Sequence, residues 1–270
     1  MRLRATILGC GSSGGVPRVG GGDGTGQWGA CDPAEPRNRR RRCALLVERI
    51  GEDGGVTRVL VDAGPDLRLQ LLDAAVADLD AVLVTHEHAD HVHGLDDLRP
   101  MVIARRKRIA VHTDPETAIH LQDRFGYLFL QPEGSAYPPM LDLHEMHGPT
   151  TVQGAGGPLE VTAHVVAHGT RTRARGFRFG PLAYTPDVSD IGEAAWQALA
   201  GTRLWIVDAL RYAPHPTHAH LERTLEWIAR LAPERAVVTN LHNDLDYRTL
   251  ERELPEGVVP AHDGMVLEIE

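Results

Sequence analysis

Apolar positions along the chain fall into runs of two kinds. Short apolar runs bounded by turn residues read as strands: Leu3 to Leu8, Cys43 to Ile50, Thr57 to Asp62, Ala81 to Thr85 and Ile109 to His112 in the first half. In the second half Leu159 to Val166, Ala174 to Phe179, Leu182 to Thr185, Leu204 to Asp208, Ala236 to Thr239 and Met265 to Ile269 read the same way. Ala81-Val-Leu-Val-Thr85 is apolar almost without interruption, as expected of a strand buried on both faces. Helical spacing marks Asp66 to Ala75, a helix from about Leu95, and one capped by Asp114-Pro115 and running to about Arg124. It also marks Ile191 to Leu199, His220 to Leu231 and Tyr247 to Glu253. Gly51 to Gly55 reads as a hairpin turn, while residues 17–40 and 125–157, rich in Gly and Pro, are expected to be irregular. Hairpins and strand–helix units occur in both halves with no linker and no fixed-period repeat, which predicts one α/β domain over residues 1–270.

Composition narrows the class. With 42% hydrophobic and 24% charged residues in 270, the chain is expected to be soluble and to hold a sizeable core. No run approaches the 18 apolar residues of a membrane helix, and the stretch from Met1 to Gly9 lacks the features of a signal peptide. Cys10, Cys31 and Cys43 cannot all pair and fit no zinc ribbon, so free thiols in a reducing cytoplasm are expected. A net charge of -9 argues against loose nucleic-acid binding. Fifteen histidines, against five tyrosines and four phenylalanines, point to histidine chemistry.

The segment Thr85-His-Glu-His-Ala-Asp-His-Val-His-Gly94 carries that chemistry. His86, His88, Asp90 and His91 are four ligand-type side chains within six positions, directly after a buried strand. In an extended segment His86 and His88 point to one side, which a helix would not allow. Imidazole and carboxylate with no nearby thiolate suit zinc, manganese or iron.

The T-H-x-H-x-D-H spacing resembles the signature of the metallo-β-lactamase fold superfamily, and implies its αββα sandwich. That resemblance asks for further ligands at later strand ends, where His168, Asp187 and His242 are the matching positions. It implies one divalent ion, zinc or manganese, on His86, His88 and His168. A second falls to Asp90, His91 and His242, with Asp187 shared. Relatives carry Thr-His where this chain has Thr239-Asn240, so Asn240 is the alternative last ligand; strand alternation would put Asn240 and His242 on one side. Gly9 to Pro17, Trp28-Gly-Ala-Cys31, Asn38 to Cys43, Val61-Asp-Ala-Gly64 and His262-Asp-Gly-Met265 resemble the phosphodiesterase branch, in particular the phosphoribosyl 1,2-cyclic phosphate phosphodiesterases. Cys31 alone remains of the cysteines that bind a separate structural zinc there, so that zinc is not expected.

The resemblance implies hydrolysis of a small cyclic phosphodiester, with Asp90 and Asp187 holding the catalytic ions and His218, from Pro214-His-Pro-Thr-His218, as proton donor to the leaving group. His220 is the alternative donor. Asp62 either orients a ligand imidazole or caps its turn. Three other readings stay open: transfer-RNA 3′ processing, thioester or lactam hydrolysis, and a metal-binding partner protein without turnover. Gly9-x-Gly11-x-x-Gly14 matches a dinucleotide fingerprint in letters only, because no helix pattern follows it. Arg39 to Arg42 is read as a solvated or substrate-steering run. Phe125 to Tyr137 is read as core packing, a lid or a homodimer contact.

Overall fold

The computed structural model describes residues 2–131 and 133–270; Met1 and Pro132 lie outside the described residues. The strands are β1 (Arg2–Gly9), β2 (Ala44–Ile50), β3 (Val56–Val61), β4 (Ala81–Leu83), β5 (Ile109–Thr113), β6 (Leu141–Glu145) and β7 (Thr150–Val152). They continue with β8 (Leu159–His168), β9 (Thr172–Phe179), β10 (Leu182–Thr185), β11 (Leu204–Asp208), β12 (Arg235–Thr239), β13 (Val258–Pro260) and β14 (Met265–Ile269). The helices are α1 (Leu67–Asp73), α2 (Ala89–Val92), α3 (Arg99–Arg105), α4 (Pro115–Phe129), α5 (Glu193–Leu199), α6 (Leu221–Leu231) and α7 (Tyr247–Glu253).

Two seven-stranded sheets result, ordered β14-β1-β2-β3-β4-β5-β6 and β13-β12-β11-β10-β9-β8-β7. Each is mixed. β1, β2 and β3 pair antiparallel, β2 and β3 as a hairpin, whereas β3 to β6 run parallel. Similarly β8, β9 and β10 pair antiparallel, and β10 to β13 run parallel. The inner faces meet in one apolar layer, with Leu3, Ile7, Leu45 and Val47 on one side and Phe177, Phe179, Tyr184 and Ile206 on the other. Helices cover the outer faces. Leu67, Leu121 and Leu128 belong to the core behind the first sheet, and Trp196, Leu221 and Trp227 to that behind the second. This is the αββα sandwich.

The physical logic is visible in α6. Leu221, Thr224, Trp227 and Ile228 share a buried face, while Glu222, Arg223, Glu226 and Arg230 stay exposed. Burying each large apolar side chain contributes about 1.5–3 kcal/mol, enough to hold a three-turn helix that would be marginal alone.

Several expectations differ in detail. The segment 125–157 holds the end of α4, β6 and β7; Leu141-Asp-Leu-His-Glu145 is a half-exposed edge strand with no β-branched residue to mark it. The helix expected near Leu95 begins as a 3-10 turn over Leu95–Leu98 before α3. β13 is only three residues long and ends in proline, too short for a pattern. Cys10, Cys31 and Cys43 are free and buried. Among the described residues no helix is long and apolar enough to cross a membrane.

Candidate metal centre

Parallel strands end at a common edge, and those ends deliver the site. Asp62 follows β3, Thr85 and His86 lie just past β4, His168 closes β8, Asp187 follows β10, Asp208 closes β11 and Asn240 follows β12. Past β4 the chain stays extended through His88 (φ −63, ψ 147), and Asp90 and His91 come from the single turn of α2. Gly64 lets the chain pack tightly beneath this segment. The Ala63 N–H donates to His91 O at 2.7 Å and Gly94 N–H to Ala63 O at 2.7 Å, and a Cβ on Gly64 would run into the Asp90 carbonyl.

Three overlapping groups have ligand atoms within 4.8 Å of one another: His86, His88 and His168; His86, His91 and Asp187; and His168, Asp187 and His218. Asp90 joins at the edge, its Oδ2 lying 3.4 Å from His91 Nε2. His86, His91 and Asp187 are almost wholly buried.

Hydrogen bonds fix which nitrogen each imidazole presents. Asp62 accepts the Thr85 N–H at 2.8 Å and the Thr85 hydroxyl at 3.0 Å. The hydroxyl has one proton, spent on a carboxylate that only accepts, so toward His86 Nδ1 at 3.0 Å it must itself accept. His86 therefore carries its proton on Nδ1, and its buried Nε2, which has no hydrogen-bond partner, is a bare lone pair. His91 donates Nδ1–H to Asp62 Oδ2 at 2.7 Å, which turns Nε2 toward Asp187 Oδ1 at 3.3 Å. His168 donates Nδ1–H to the Thr217 carbonyl at 2.8 Å, leaving a bare Nε2 facing His88 Nδ1 at 3.2 Å. Imidazoles held from behind with inward lone pairs, around shared carboxylates, are the donor set of a divalent cation. The orphaned Nε2 of His86 fits such an ion and little else.

Electrostatics set His86 and His168 apart from His91. Burial pushes His86 and His168 below the ordinary histidine range. Burial also opposes charge on His91, but Asp187, Asp62 and Asp90 outweigh it and hold His91 well above that range. Burial likewise opposes ionisation of Asp187, yet His91, His218 and His86 keep it an anion. A second dyad borders the cluster. His218 Nδ1–H donates to Asp208 Oδ2 at 2.9 Å. Burial lowers the His218 pKa, but Asp208 and Asp187 more than offset this and raise it to about 9. Burial pushes Asp208 up to about 6.

The structure thus brings together His86, His88, Asp90, His91, His168, Asp187 and His218. It does not bring His242 into these groups. β12 ends at Thr239, and Asn240 takes a left-handed conformation (φ 61), so strand alternation stops before it reaches His242. The His242 ring turns to Asp244 at 2.9 Å, and Asn240 stands at Asp187 instead. Asp62 proves to face His91 rather than cap a helix; α1 has no side-chain cap. Asp208 and Thr217 were not singled out from sequence. Asp208 ends an apolar strand just as Asp62 and Asp187 follow one, and that shared position was the available signal.

The mouth is an open cleft of ≈ 520 Å³ lined by His88, Ala89, His93, Arg124 and Phe125. Phe125 breaks the helical conformation of α4 (φ −128, ψ 25) and meets His93 edge-on at 5.6 Å. Leu128 and Phe129, by contrast, are core residues. A further cavity of ≈ 580 Å³, beside Arg4, Glu48 and Arg58, contains none of the clustered ligands.

Two facing mixed sheets with helices outside, and a His/Asp cluster at the ends of parallel strands, define a metallohydrolase of the αββα type. The chain belongs to the β-lactamase superfamily, in its phosphodiesterase branch: residues 57–240 match the family model of the β-lactamase superfamily domain. A solved structure described as a new diphosphatase from the PhnP family has a TM-score of 0.84 at 33% identity, over 100% of this chain and 98% of that one. An octanoyltransferase of Porphyromonas gingivalis is 34% identical over 268 residues, 97% of this chain but 51% of that protein. A ribonuclease Z of Bradyrhizobium is 37% identical over 86 residues, 30% of this chain and 27% of that protein. The chain spans about half the length, or less, of these curated relatives.

Proposed function

We propose that the chain is a metal-dependent phosphodiesterase that opens a small cyclic phosphate, such as 5-phosphoribosyl 1,2-cyclic phosphate. The observation that carries this reading is the His218–Asp208 pair, whose imidazole lies 4.7 Å from His168 beside the ligand cluster. His86, His88, His168 and Asp187 would hold one divalent ion, zinc or manganese, and Asp90, His91 and Asp187 a second; such ions polarise a phosphoryl oxygen and acidify water.

The residues themselves supply the proton chemistry. Hydrolysis forms a P–O bond from water and breaks the P–O bond to an alkoxide, a poor leaving group unless protonated. With Nδ1–H held by Asp208, His218 has its other nitrogen left to give that proton, and it recovers one from the attacking water. Asp208 and Asp187 favour its protonated form. Asp208, buried and anionic, steadies the imidazolium much as a buried carboxylate does in an acyl-transfer triad.

The test is phosphorus NMR of 5-phosphoribosyl 1,2-cyclic phosphate with zinc- or manganese-loaded protein. Ring opening by wild type and not by Asp187→Ala supports the reading. No ring opening by protein that carries its metal overturns that substrate.

The diphosphatase relative favours a second reading, hydrolysis of a diphosphate linkage. A phosphate leaving group needs no proton donor, whereas an alkoxide does. The presence of His218 with Asp208 therefore favours the ester.

A further inference from the structure

Asn240 stands beside the cluster, where its side chain reaches the Pro186 carbonyl at 3.0 Å and Asp187 Oδ1 at 3.2 Å. Both partners can only accept. The amide nitrogen must therefore face them, because turning the amide over would set its oxygen against two others. An amide nitrogen offers protons and no lone pair to a cation. In this arrangement Asn240 is a donor to Asp187, and it takes up the same oxygen that faces His91 Nε2 at 3.3 Å. His242 does not make up the difference, since among the described residues it lies outside the groups whose ligand atoms come together. The Nδ1–H of His218 is likewise engaged, donating to Asp208 at 2.9 Å.

The two halves of the cluster are consequently unequal. His86, His88 and His168 surround one side, with Asp187 Oδ2 at 3.8 Å from His86 Nε2 and 3.7 Å from His168 Nε2. On the other side, among the described residues, are Asp90, His91 and Asp187 Oδ1, the last shared with an N–H.

We propose that Asn240 makes the second cation position weak and exchangeable, so that the protein retains one ion on His86, His88, His168 and Asp187 and fills the Asp90, His91 and Asp187 position reversibly. This rests on the metal-centre reading under Proposed function, but not on any substrate. Its consequence is an activity that follows the free concentration of divalent metal rather than the total amount bound.

The experiment counts ions. Zinc-loaded wild type is dialysed against metal-free buffer and its metal content read by mass spectrometry, and the second site is then titrated against a chelating indicator. About one ion per chain is expected to survive dialysis. Asn240→His supplies an imidazole, and histidine is among the residues that tolerate the left-handed conformation; it should retain two ions and tighten the second site at least about tenfold. Asn240→Ala, which removes the amide without adding a ligand, should still retain one ion and leave the second-site Kd no more than about twofold weaker. Two ions retained by wild type would overturn the proposal. So would a loss of about tenfold or more in Asn240→Ala, since the amide would then be a ligand. Retention of no ion by any of the three proteins would instead overturn the metal-centre reading itself. A protein that holds its metal as expected yet hydrolyses no phosphodiester would overturn only the substrate.

Discussion

His91 and Asp62 meet at 2.7 Å, Nδ1–H to Oδ2, in a contact that is buried on both sides. Asp62 holds this position from a left-handed backbone (φ 65), and its carboxylate also takes the Thr85 N–H and hydroxyl. One carboxylate thus aims His91 directly and His86 through Thr85. Both halves of the cluster depend on a residue that touches neither candidate ion position.

Asp62→Asn should therefore weaken metal binding while leaving the fold intact. Asparagine tolerates φ 65 and can still accept from Thr85, but it loses the anion that orients and polarises His91. The expected loss is about 10–100-fold in affinity for the more weakly held ion, measured by chelator competition. An affinity within about twofold of wild type would mean that His91 is aimed by something else.

For His218 the informative comparison is between leaving groups. His218→Ala should lower kcat by about 10²–10⁴ on a diester that expels an alkoxide. On the bis-p-nitrophenyl ester, whose leaving group needs little protonation, the loss should be far smaller. Asp208→Asn should follow the same pattern more weakly. Equal losses on both substrates would assign His218 to binding rather than proton transfer.

Metal removal should cost stability as well as activity. The His86 Nε2 is buried without a partner, a condition that a bound cation relieves. Ion at 100 times its Kd adds about 2.7 kcal/mol, which for a chain this long raises Tm by roughly 5 °C or more. Calorimetry of chelator-treated and zinc-loaded protein reads this directly, and an unchanged Tm at saturation would contradict it.

Acid stability should depend on His164. This imidazole packs against Gly176, where a Cβ would run into its ring, and bonds to Thr185 at 3.0 Å. Burial, aided by Arg178, depresses its pKa to about 3, well below the ordinary value near 6.5. The unfolded chain thus binds a proton that the folded one refuses. Stability is complete above about pH 6.5 and falls as pH drops toward about 3, by up to about 1.4 kcal/mol per pH unit from this group. In urea titrations at pH 7 and pH 5, His164→Gln should show a shallower acid loss than wild type. Parallel curves would exclude His164 as the source.

The sequence made some parts of this arrangement legible and hid others. The His86–His91 segment could be read because its ligands are close in sequence and follow an apolar strand. His168 and Asp187 were singled out because the resemblance asks for ligands at later strand ends, and each ends or follows a strand. His242 lies outside the clustered groups for a local reason: alternation assumes an extended backbone, and the left-handed turn at Asn240 is not written in the hydrophobic pattern. Asp208 was missed because its role exists only in relation to His218, ten residues away across a loop. β6 and β13 escaped because short edge strands carry too few apolar residues to show a period.

The kink at Phe125 bears on how readily this protein can be repurposed. The cluster hangs from strand ends in the middle of two sheets, whereas Phe125 and Arg124 belong to the far end of α4, which borders the cleft from outside. Arg124 reaches the backbone oxygen of Glu87. The exposed positions here, Arg124, Tyr127 and Leu130, can be exchanged or recoloured with charge while the cluster and the core residues Leu128 and Phe129 stay fixed. A lineage inheriting this scaffold is free to change its diet without relearning its chemistry.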